Sequence, residues 1–503
     1  MRLISALLSA ILVVLAAHDA HALPAHNTPF ISIPISRLIP RGNAPALPPT
    51  IVHQQHVNRA IRRHELMTGS IVPTSDDALL ANLQRRAAAL PPHIQKRYYV
   101  PGLDVLSRLA NAGKQQNNGA ANFKASATKD GVTPAKKPSF AHTIGLDIQA
   151  KDIGYLGTVQ IGTPPRDFLL LMDSGSADLW VGAEGCDSDD EYDDIGGCGP
   201  HNFLGGNSSK TFKDTKQAWK IEYGTGAVSG TLVTDTVTIA GLTISEYEFG
   251  TASKESREFT PDYIPFDGIV GLAKSLISRQ GTTTIIEALQ KKGLLKHAIS
   301  SYHIPRLADG DNDGELTLGA LNPDKYDRST LVSVPNVNDL GFWEAKIDKV
   351  TVGGKDMGWT NRSAIMDTGT TLIIAPQEDV DAIHRLIPGA YQNPDMGWTV
   401  PCVPPANAKP PFALQFGGRS FPVDVRDLAF LPVDEADPKG NCTSGITAGN
   451  IGTSTQWLVT FEIYTFADTT SAQQVGDVFL KNVYMSTDVG TDKISFAKLK
   501  TKK

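Results

Sequence analysis

The sequence predicts a mostly β protein built from two related halves. Beyond about residue 137 the chain consists of short apolar or alternating runs that Gly, Asn and Asp turns interrupt, a pattern typical of short strands. Helical stretches are few, and Thr283–Lys292 and Gln377–Leu386 are the clearest. One short motif occurs twice, around Asp173 and around Asp367. The strand pattern by itself fits a β-sandwich equally well.

The repeated motif places one carboxylate at the end of each of two apolar runs. Because burying an unpaired charge is costly, we expect Asp173 and Asp367 to face each other. Two carboxylates that close do not both ionise easily, so they would share a proton and supply one acid and one base. The residues that follow offer close backbone approach and hydroxyl groups to hold the carboxylates, and they are Ser174, Gly175, Ser176, Thr368, Gly369 and Thr370.

Length and composition agree with a large exported protein. The chain has 503 residues and 41% apolar content, enough for a large core and two or more domains. Residues 1–22 contain Arg2, an apolar stretch and Ala20-His21-Ala22, which is typical of a cleaved signal peptide. A membrane anchor is the alternative, but the stretch is short for a bilayer. We therefore expect a secreted, extracellular product without a membrane anchor, with an acidic vacuole as the alternative destination.

Charge separates the amino-terminal region from the rest of the chain. Residues 23–140 hold 15 Lys or Arg against 5 Asp or Glu, whereas residues 141–503 hold 31 against 47. A basic prosegment held on an acidic body would be released when carboxylates are protonated. A solvated basic tail is the other interpretation. Helices are expected at Asn58–Leu66 and Asp77–Leu90, and a flexible linker at residues 111–137.

Further segments carry a family resemblance. In chain order they are Tyr155–Pro165, Asp178–Val181, Ile221–Gly226, Phe266–Ala273, Gly341–Trp343 and Val475–Leu480. With the two aspartate motifs, they make the chain resemble the pepsin-like aspartic endopeptidases, as a secreted zymogen of fungal type, from about Tyr155 to about Leu499. The resemblance implies a bilobal double β-barrel with the active-site cleft between its lobes.

The same resemblance implies the domain plan and the activity. The expected parts are a signal peptide at 1–22, a propeptide at 23–137, an amino-terminal lobe at 138–325 and a carboxy-terminal lobe at 326–503. The expected activity is hydrolysis of peptide bonds between bulky apolar residues at acid pH, by a water that Asp173 and Asp367 activate. Polypeptides would be the substrates, the propeptide an intramolecular inhibitor, and pepstatin-type compounds inhibitors. We expect a monomer with no cofactor, metal or nucleic-acid partner.

A Gly-rich hairpin predicts a flap over the cleft. Tyr223, Gly224 and Thr225 lie between two strand-like runs, and such a tip is mobile. The resemblance implies that Tyr223 hydrogen-bonds Trp180 and that Gly224 and Thr225 contact substrate backbone. An ordinary Gly-rich hairpin is the alternative.

The cysteines and sequons fit an oxidising secretory route. The four cysteines form two local sets, Cys186 with Cys198 and Cys402 with Cys442, so the natural pairing closes one loop in each half. The resemblance implies the same pairs. Glycosylation sequons occur at Asn207, Asn361 and Asn441.

An inactive protein of the same fold, used for binding, is the rival from another functional class. That rival requires a damaged site. Both aspartates, both following glycines, Tyr223 and Trp180 are present, so the sequence favours an active enzyme.

Overall fold

The computed structural model describes most of the chain after residue 131. The described residues are 39–40, 51, 53–58, 61, 63, 75–88, 98–99, 132–149, 152, 154–188, 197–223, 226–256, 259–260, 264–394, 397–404, 412–434, 437–448, 471–475 and 477–500. All of them belong to one compact unit, Ile35–Lys503. The expected signal peptide and residues 111–131 of the expected linker lie outside the described residues.

A short amino-terminal arm precedes the main sheets, and we use this name for the described residues between 51 and 88. Residues 51, 53–58, 61 and 63 are helical, overlapping the helix expected from Asn58. The arm also contains α1 (Asp76–Ala88), and the short strands β1 (Ile39–Pro40) and β2 (Tyr98–Tyr99) flank it. Helix α1 begins after Ser75, whose hydroxyl accepts the Ala78 N–H at 3.2 Å. Strands β1 and β2 pair antiparallel.

The first half of the body is a nine-stranded sheet in the order β3-β5-β6-β7-β12-β8-β11-β10-β9. Strand β12 lies between β7, to which it is parallel, and β8, to which it is antiparallel. Strand β4 joins a different sheet. The bounds are β3 (Val132–Thr133), β4 (Thr143–Gly145), β5 (Asp147–Gln149), β6 (Gly154–Ile161), β7 (Arg166–Asp173), β8 (Leu179–Ser188), β9 (Lys213–Glu222), β10 (Ala227–Ile239), β11 (Leu242–Glu255) and β12 (Gly268–Gly271).

The three strands in the middle of the chain belong to a sheet that also contains strands from both ends of the body. The elements of this middle part are a 3-10 turn (Ser275–Ile277), α2 (Ile285–Lys291), β13 (Ile299–His303), a second 3-10 turn (Leu307–Asp309), β14 (Glu315–Leu318), a third (Arg328–Thr330) and β15 (Val332–Pro335). Helix α2 buries Ile285, Ile286 and Leu289, and the Thr284 hydroxyl caps it by accepting the Glu287 N–H. It begins two residues later than the sequence predicts.

The second half of the body is built from smaller sheets. Its elements are β16 (Glu344–Ile347), β17 (Lys349–Val352), β18 (Lys355–Asp356), β19 (Arg362–Met366), β20 (Ile373–Ala375), α3 (Gln377–His384), β21 (Tyr391–Asn393), β22 (Gly397–Pro401), β23 (Phe412–Phe416), β24 (Arg419–Val423), α4 (Val425–Leu428), β25 (Ala429–Pro432), β26 (Asn441–Ser444), β27 (Ile446–Ala448), β28 (Ser471–Val475), α5 (Asp477–Leu480), β29 (Tyr484–Asp488) and β30 (Lys493–Ala497). Strand β28 lies between β19, to which it is parallel, and β20, to which it is antiparallel.

The two halves repeat one arrangement and share one sheet. The β7-β12-β8 order in the first half corresponds to β19-β28-β20 in the second. A six-stranded sheet, β15-β30-β29-β13-β14-β4, takes strands from both ends of the body. Buried apolar side chains of both halves form one large cluster, which includes Phe168, Trp343 and Phe496. The prediction of a mostly β fold with two lobes is confirmed.

Candidate active site

The two motif aspartates lie at corresponding ends of corresponding strands. Asp173 is the last residue of β7, and Asp367 follows directly after β19. Both side chains are fully buried. The sheet order therefore delivers one carboxylate from each half to the same place.

The residue after each aspartate forms hydrogen bonds to the opposite half of the body. The Ser174 N–H donates to the Thr368 hydroxyl and the Thr368 N–H to the Ser174 hydroxyl, both at 2.9 Å. Each hydroxyl in turn donates to a backbone carbonyl of the opposite half, Met366 at 2.9 Å and Met172 at 2.6 Å. These four bonds are symmetric, and they fix the spacing of the neighbouring carboxylates.

Each carboxylate is held by its own loop in the same way. Asp173 accepts the Gly175 N–H at 2.9 Å and the Ser176 hydroxyl at 2.6 Å. Asp367 accepts the N–H of Gly369 at 2.9 Å and the Thr370 hydroxyl at 2.5 Å. From the sequence we expected all four hydroxyls to hold the carboxylates. Only those of Ser176 and Thr370 do so, because Ser174 and Thr368 point across to the other half.

The second loop leaves no space for a side chain. A Cβ on Gly369 would lie 2.5 Å from Asp173 Oδ1 and 2.7 Å from Arg63 Nη2. These separations are below van der Waals contact, so only glycine allows this approach. The glycine is thus required by the geometry of the carboxylate pair.

Arg63 of the amino-terminal arm bridges the two carboxylates. Its Nε donates to Asp367 Oδ2 at 2.5 Å, and its Nη2 donates to Asp367 Oδ1 at 2.8 Å and also to Asp173 Oδ1. One guanidinium nitrogen therefore contacts both aspartates, which shows how closely they approach. The bidentate contact to Asp367 is the strong geometry for this pair of groups.

Burial and the guanidinium act in opposite directions on the two carboxyl groups. Burial raises the pKa of Asp173, with a further contribution from the Asp367 charge, and Arg63 opposes this rise without cancelling it. Burial also acts to raise the pKa of Asp367, but Arg63 and the Thr370 hydroxyl outweigh it, so the pKa is lowered. With Arg63 in place, the two carboxyl groups thus differ in pKa.

Arg63 was not among the residues that we identified from the sequence. It is one of three arginines in a short stretch with Arg59 and Arg62, and nothing local distinguishes it. The available signal was indirect: a basic segment precedes a body that buries two acids, and a cation stabilises a buried pair of carboxylates. Its position depends on how the arm packs on the body.

The expected flap is a hairpin beside this site. Strands β9 and β10 pair antiparallel, with Glu222 opposite Ala227, and the Tyr223 N–H donates to the Gly226 carbonyl at 2.7 Å. The Trp180 indole N–H donates to the Tyr223 hydroxyl at 2.6 Å. Phe259 packs edge-on against both rings. Gly224 and Thr225 lie outside the described residues.

Apolar side chains form a separate cluster beneath the flap. Trp180, Ile221, Phe266 and Ile269 are buried there, and Leu171 and Tyr223 are partly buried against them. Phe266 and Ile269 are therefore core residues. Of these side chains, Leu171 and Tyr223 keep partial exposure.

The remaining residues singled out from sequence lie away from the carboxylates. Cys186 is bonded to Cys198 and Cys402 to Cys442. The sequon residues Asn207, Asn361 and Asn441 are exposed, although the Asn207 amide donates to Glu184 at 2.9 Å. Among the residues that the structure describes, no helix is both long and apolar enough to cross a membrane.

A buried pair of aspartates from two related loops, with a flap beside it, defines the class of aspartic proteases. Residues 154–499 match the family model described as eukaryotic aspartyl protease. The chain belongs to this family.

Individual relatives agree with the family match. A protein named probable aspartic-type endopeptidase CTSD from Trichophyton verrucosum is 31% identical, over 80% of this chain and 72% of its own. The aspartic-type endopeptidase ctsD of Aspergillus fumigatus is 30% identical, over 73% and 70% respectively. Pepsin A from Sus scrofa is 31% identical, over 69% of this chain and 81% of its own.

Proposed function

We propose that the protein is an aspartic endopeptidase that hydrolyses peptide bonds at acid pH, made as a zymogen and acting between bulky apolar residues. The main observation behind this proposal is the symmetric set of hydrogen bonds that holds the buried Asp173 and Asp367 side by side. The relatives named as aspartic-type endopeptidases and pepsins support the same reaction. The partly exposed apolar side chains beneath the flap support the preference for apolar residues.

The chemistry follows from two adjacent carboxyl groups that share one proton. In the mature enzyme a water molecule lies between the aspartates. The ionised aspartate takes a proton from the water, the water oxygen bonds to the peptide carbonyl carbon, and the protonated aspartate donates to the carbonyl oxygen. On collapse the roles reverse: the hydroxyl proton returns to a carboxylate, the amide nitrogen receives a proton, and the carbon–nitrogen bond breaks. No covalent enzyme intermediate forms.

Acid pH follows from the need for one protonated member. When both aspartates ionise, the general acid is lost and the rate falls. The flap would close over the peptide through Tyr223, Gly224 and Thr225 and exclude water. Pepstatin-type compounds would occupy the same cleft.

The amino-terminal arm supports the zymogen part of the proposal. Arg63 lies where the water and the scissile carbonyl would bind, so the arm and substrate exclude each other. We assign residues 1–22 to a signal peptide, 23–137 to a propeptide, 138–325 to the first lobe and 326–503 to the second. The product is a secreted monomer, and an acidic vacuole is the second candidate destination.

The test is proteolysis by the acid-incubated zymogen. Denatured haemoglobin is the substrate, assayed from pH 2 to 8 with and without pepstatin. The proposal expects acid-dependent cleavage that pepstatin abolishes, together with loss of the arm. A properly processed protein that cleaves at no pH would instead support a binding protein with the same fold.

A further inference from the structure

The amino-terminal arm carries buried cationic or protonatable groups at its contact with the second half. His53, His56 and Arg86 are 2%, 7% and 8% exposed. Both histidine rings pack against Phe430, with ring centroids 6.0 and 5.5 Å away. Apolar contacts surround them, as Val57, Ile61 and Leu79 cluster with Leu372 and Ile374. A charge gained in this interface has little access to solvent.

The partners of His53 allow only one neutral form of its ring. Nε2 lies 3.3 Å from the Ser444 carbonyl oxygen, which only accepts hydrogen bonds, so Nε2 carries the hydrogen. Nδ1 lies 3.5 Å from Arg86 Nη1, which only donates, so Nδ1 presents its lone pair. The nitrogen left to accept a proton is therefore Nδ1, which faces a guanidinium.

The surroundings compensate only in part for that proton, through the Ser444 carbonyl, which acts to raise the pKa of His53. Burial lowers the pKa of His53 well below its ordinary 6.5, and the charges of Arg86 and His56 lower it further. Among the described residues, no carboxylate contributes to this shift. The neighbouring His384 of α3 bonds the Ser444 hydroxyl and the Val380 carbonyl at 2.7 Å. Burial likewise lowers the pKa of His384, to about 4.

The Arg63 contact with Asp367 resists acid. The guanidinium stays charged at all relevant pH, and it lowers the pKa of Asp367. Asp173, whose pKa is raised, loses its charge in weaker acid. His53 is a second group whose protonation opposes docking.

We propose that His53 is a proton-operated release for the arm: protonation at Nδ1 places a charge in the buried contact with Phe430, beside Arg86 of the same arm, and so weakens docking of the arm on the second half. This inference rests on the proposed zymogen function. In the free arm His53 titrates near 6.5, and in the docked arm well below it. Docking is therefore strongest above pH 6.5 and weakens as the pH falls, by about tenfold at pH 5.5.

Two substitutions of His53 in the full zymogen separate a proton switch from a packing role. His53→Gln keeps a donor for Ser444 and an acceptor for Arg86 but takes up no proton. His53→Arg carries a permanent charge. His297→Gln, at an exposed histidine, is the matched control. Release is followed by hydrogen–deuterium exchange of peptides from residues 51–63, corrected at each pH against the isolated arm peptide, and by the rate of arm removal.

The expected result is a pair of opposite shifts. His53→Gln should move release to lower pH and slow arm removal about tenfold at pH 5.5, whereas His53→Arg should release near neutral pH. If His53 only packs, both variants should release the arm at higher pH than wild type. That result, or an unchanged midpoint pH of release in His53→Gln, would overturn the inference. Exchange does not depend on proteolytic activity. Failure of the proposed function would appear separately, as wild-type protein that releases its arm but cleaves nothing.

Discussion

Arg63 and Asp367 are joined by two hydrogen bonds, Nε to Oδ2 at 2.5 Å and Nη2 to Oδ1 at 2.8 Å. The same Nη2 also donates to Asp173. The guanidinium fills the space between the carboxylates, so the groups that would activate water instead bind the protein's own arm. The arm thereby supplies a cation that stabilises the buried acid pair before activation.

The first prediction concerns Arg63→Gln. Charge-assisted hydrogen bonds contribute about 1.5–3 kcal/mol each, so this variant should raise peptide hydrolysis by the uncleaved zymogen at least about tenfold. Initial rates on a small chromogenic peptide at pH 5 provide the measurement, with intact mass showing that the arm is still attached. Arg63→Lys keeps the charge but loses the bidentate contact, so its activity should lie between those of wild type and the Gln variant. If the uncleaved Gln variant hydrolyses the peptide no faster than wild type, the Arg63 bridge does not inhibit the zymogen.

The aspartates and Arg63 show what the sequence can and cannot predict. Asp173 and Asp367 were predictable because each motif is local: an apolar strand, a carboxylate, a small hydroxyl residue and a glycine. The flap was predictable for the same reason. The role of Arg63 depends on a contact between residues 304 positions apart, and no local pattern encodes it. Likewise, Ser174 and Ser176 have similar chemistry but opposite directions, which only the paired loops determine.

The second prediction concerns the flap residue Tyr223. Tyr223→Phe removes the hydroxyl that accepts the Trp180 N–H at 2.6 Å. An unsatisfied buried donor costs about 1–3 kcal/mol, so the flap should hold its position less well. We expect kcat/KM of the mature enzyme to fall about tenfold with the pH optimum unchanged. Unaltered kinetics in the Phe variant would assign the tyrosine to packing alone.

The third prediction concerns a buried ion network. Asp427 accepts two hydrogen bonds from Arg306, at 2.8 and 2.6 Å, and lies 3.1 Å from Lys481. All three residues are buried. Asp427→Ala leaves two cations with too few partners and should destabilise the protein by about 3–5 kcal/mol.

Chemical denaturation measures this effect, and an exposed pair supplies the control. Lys213 and Glu246 form an ion pair at 2.6 Å in which both side chains are mostly exposed. Lys213→Ala should therefore change the free energy of unfolding by less than about 1 kcal/mol. Equal losses in the two variants would rule out a special contribution from the buried network.

The fourth prediction concerns Glu255 and alkaline stability. Burial, with the nearby Asp267 charge, raises the pKa of Glu255 from 4.5 to about 8. The folded protein therefore holds this proton more tightly than the unfolded chain. The contribution of Glu255 to the free energy of unfolding is fully present below pH 4.5. It is lost as the pH rises from 4.5 to about 8, and the loss is at most about 5 kcal/mol.

Glu255→Gln removes the titrating group without changing its shape. The stability of the variant should decline less than that of wild type between pH 4.5 and 8, as measured by urea denaturation at several pH values in that window. Parallel pH profiles for the two proteins would contradict the assignment to Glu255.

The most direct test of the central claim is kcat/KM of the mature enzyme with Asp173→Asn and with Asp367→Asn, on a peptide with apolar residues at the cut. Asp324→Asn is the matched control, because its side chain is 81% exposed. We predict that kcat/KM falls at least about a hundredfold in each of the two active-site aspartate variants, which is the lower end for removing a general acid or base. Asp324→Asn should retain full activity. A folded enzyme that still cleaves peptides after either aspartate substitution would contradict the account.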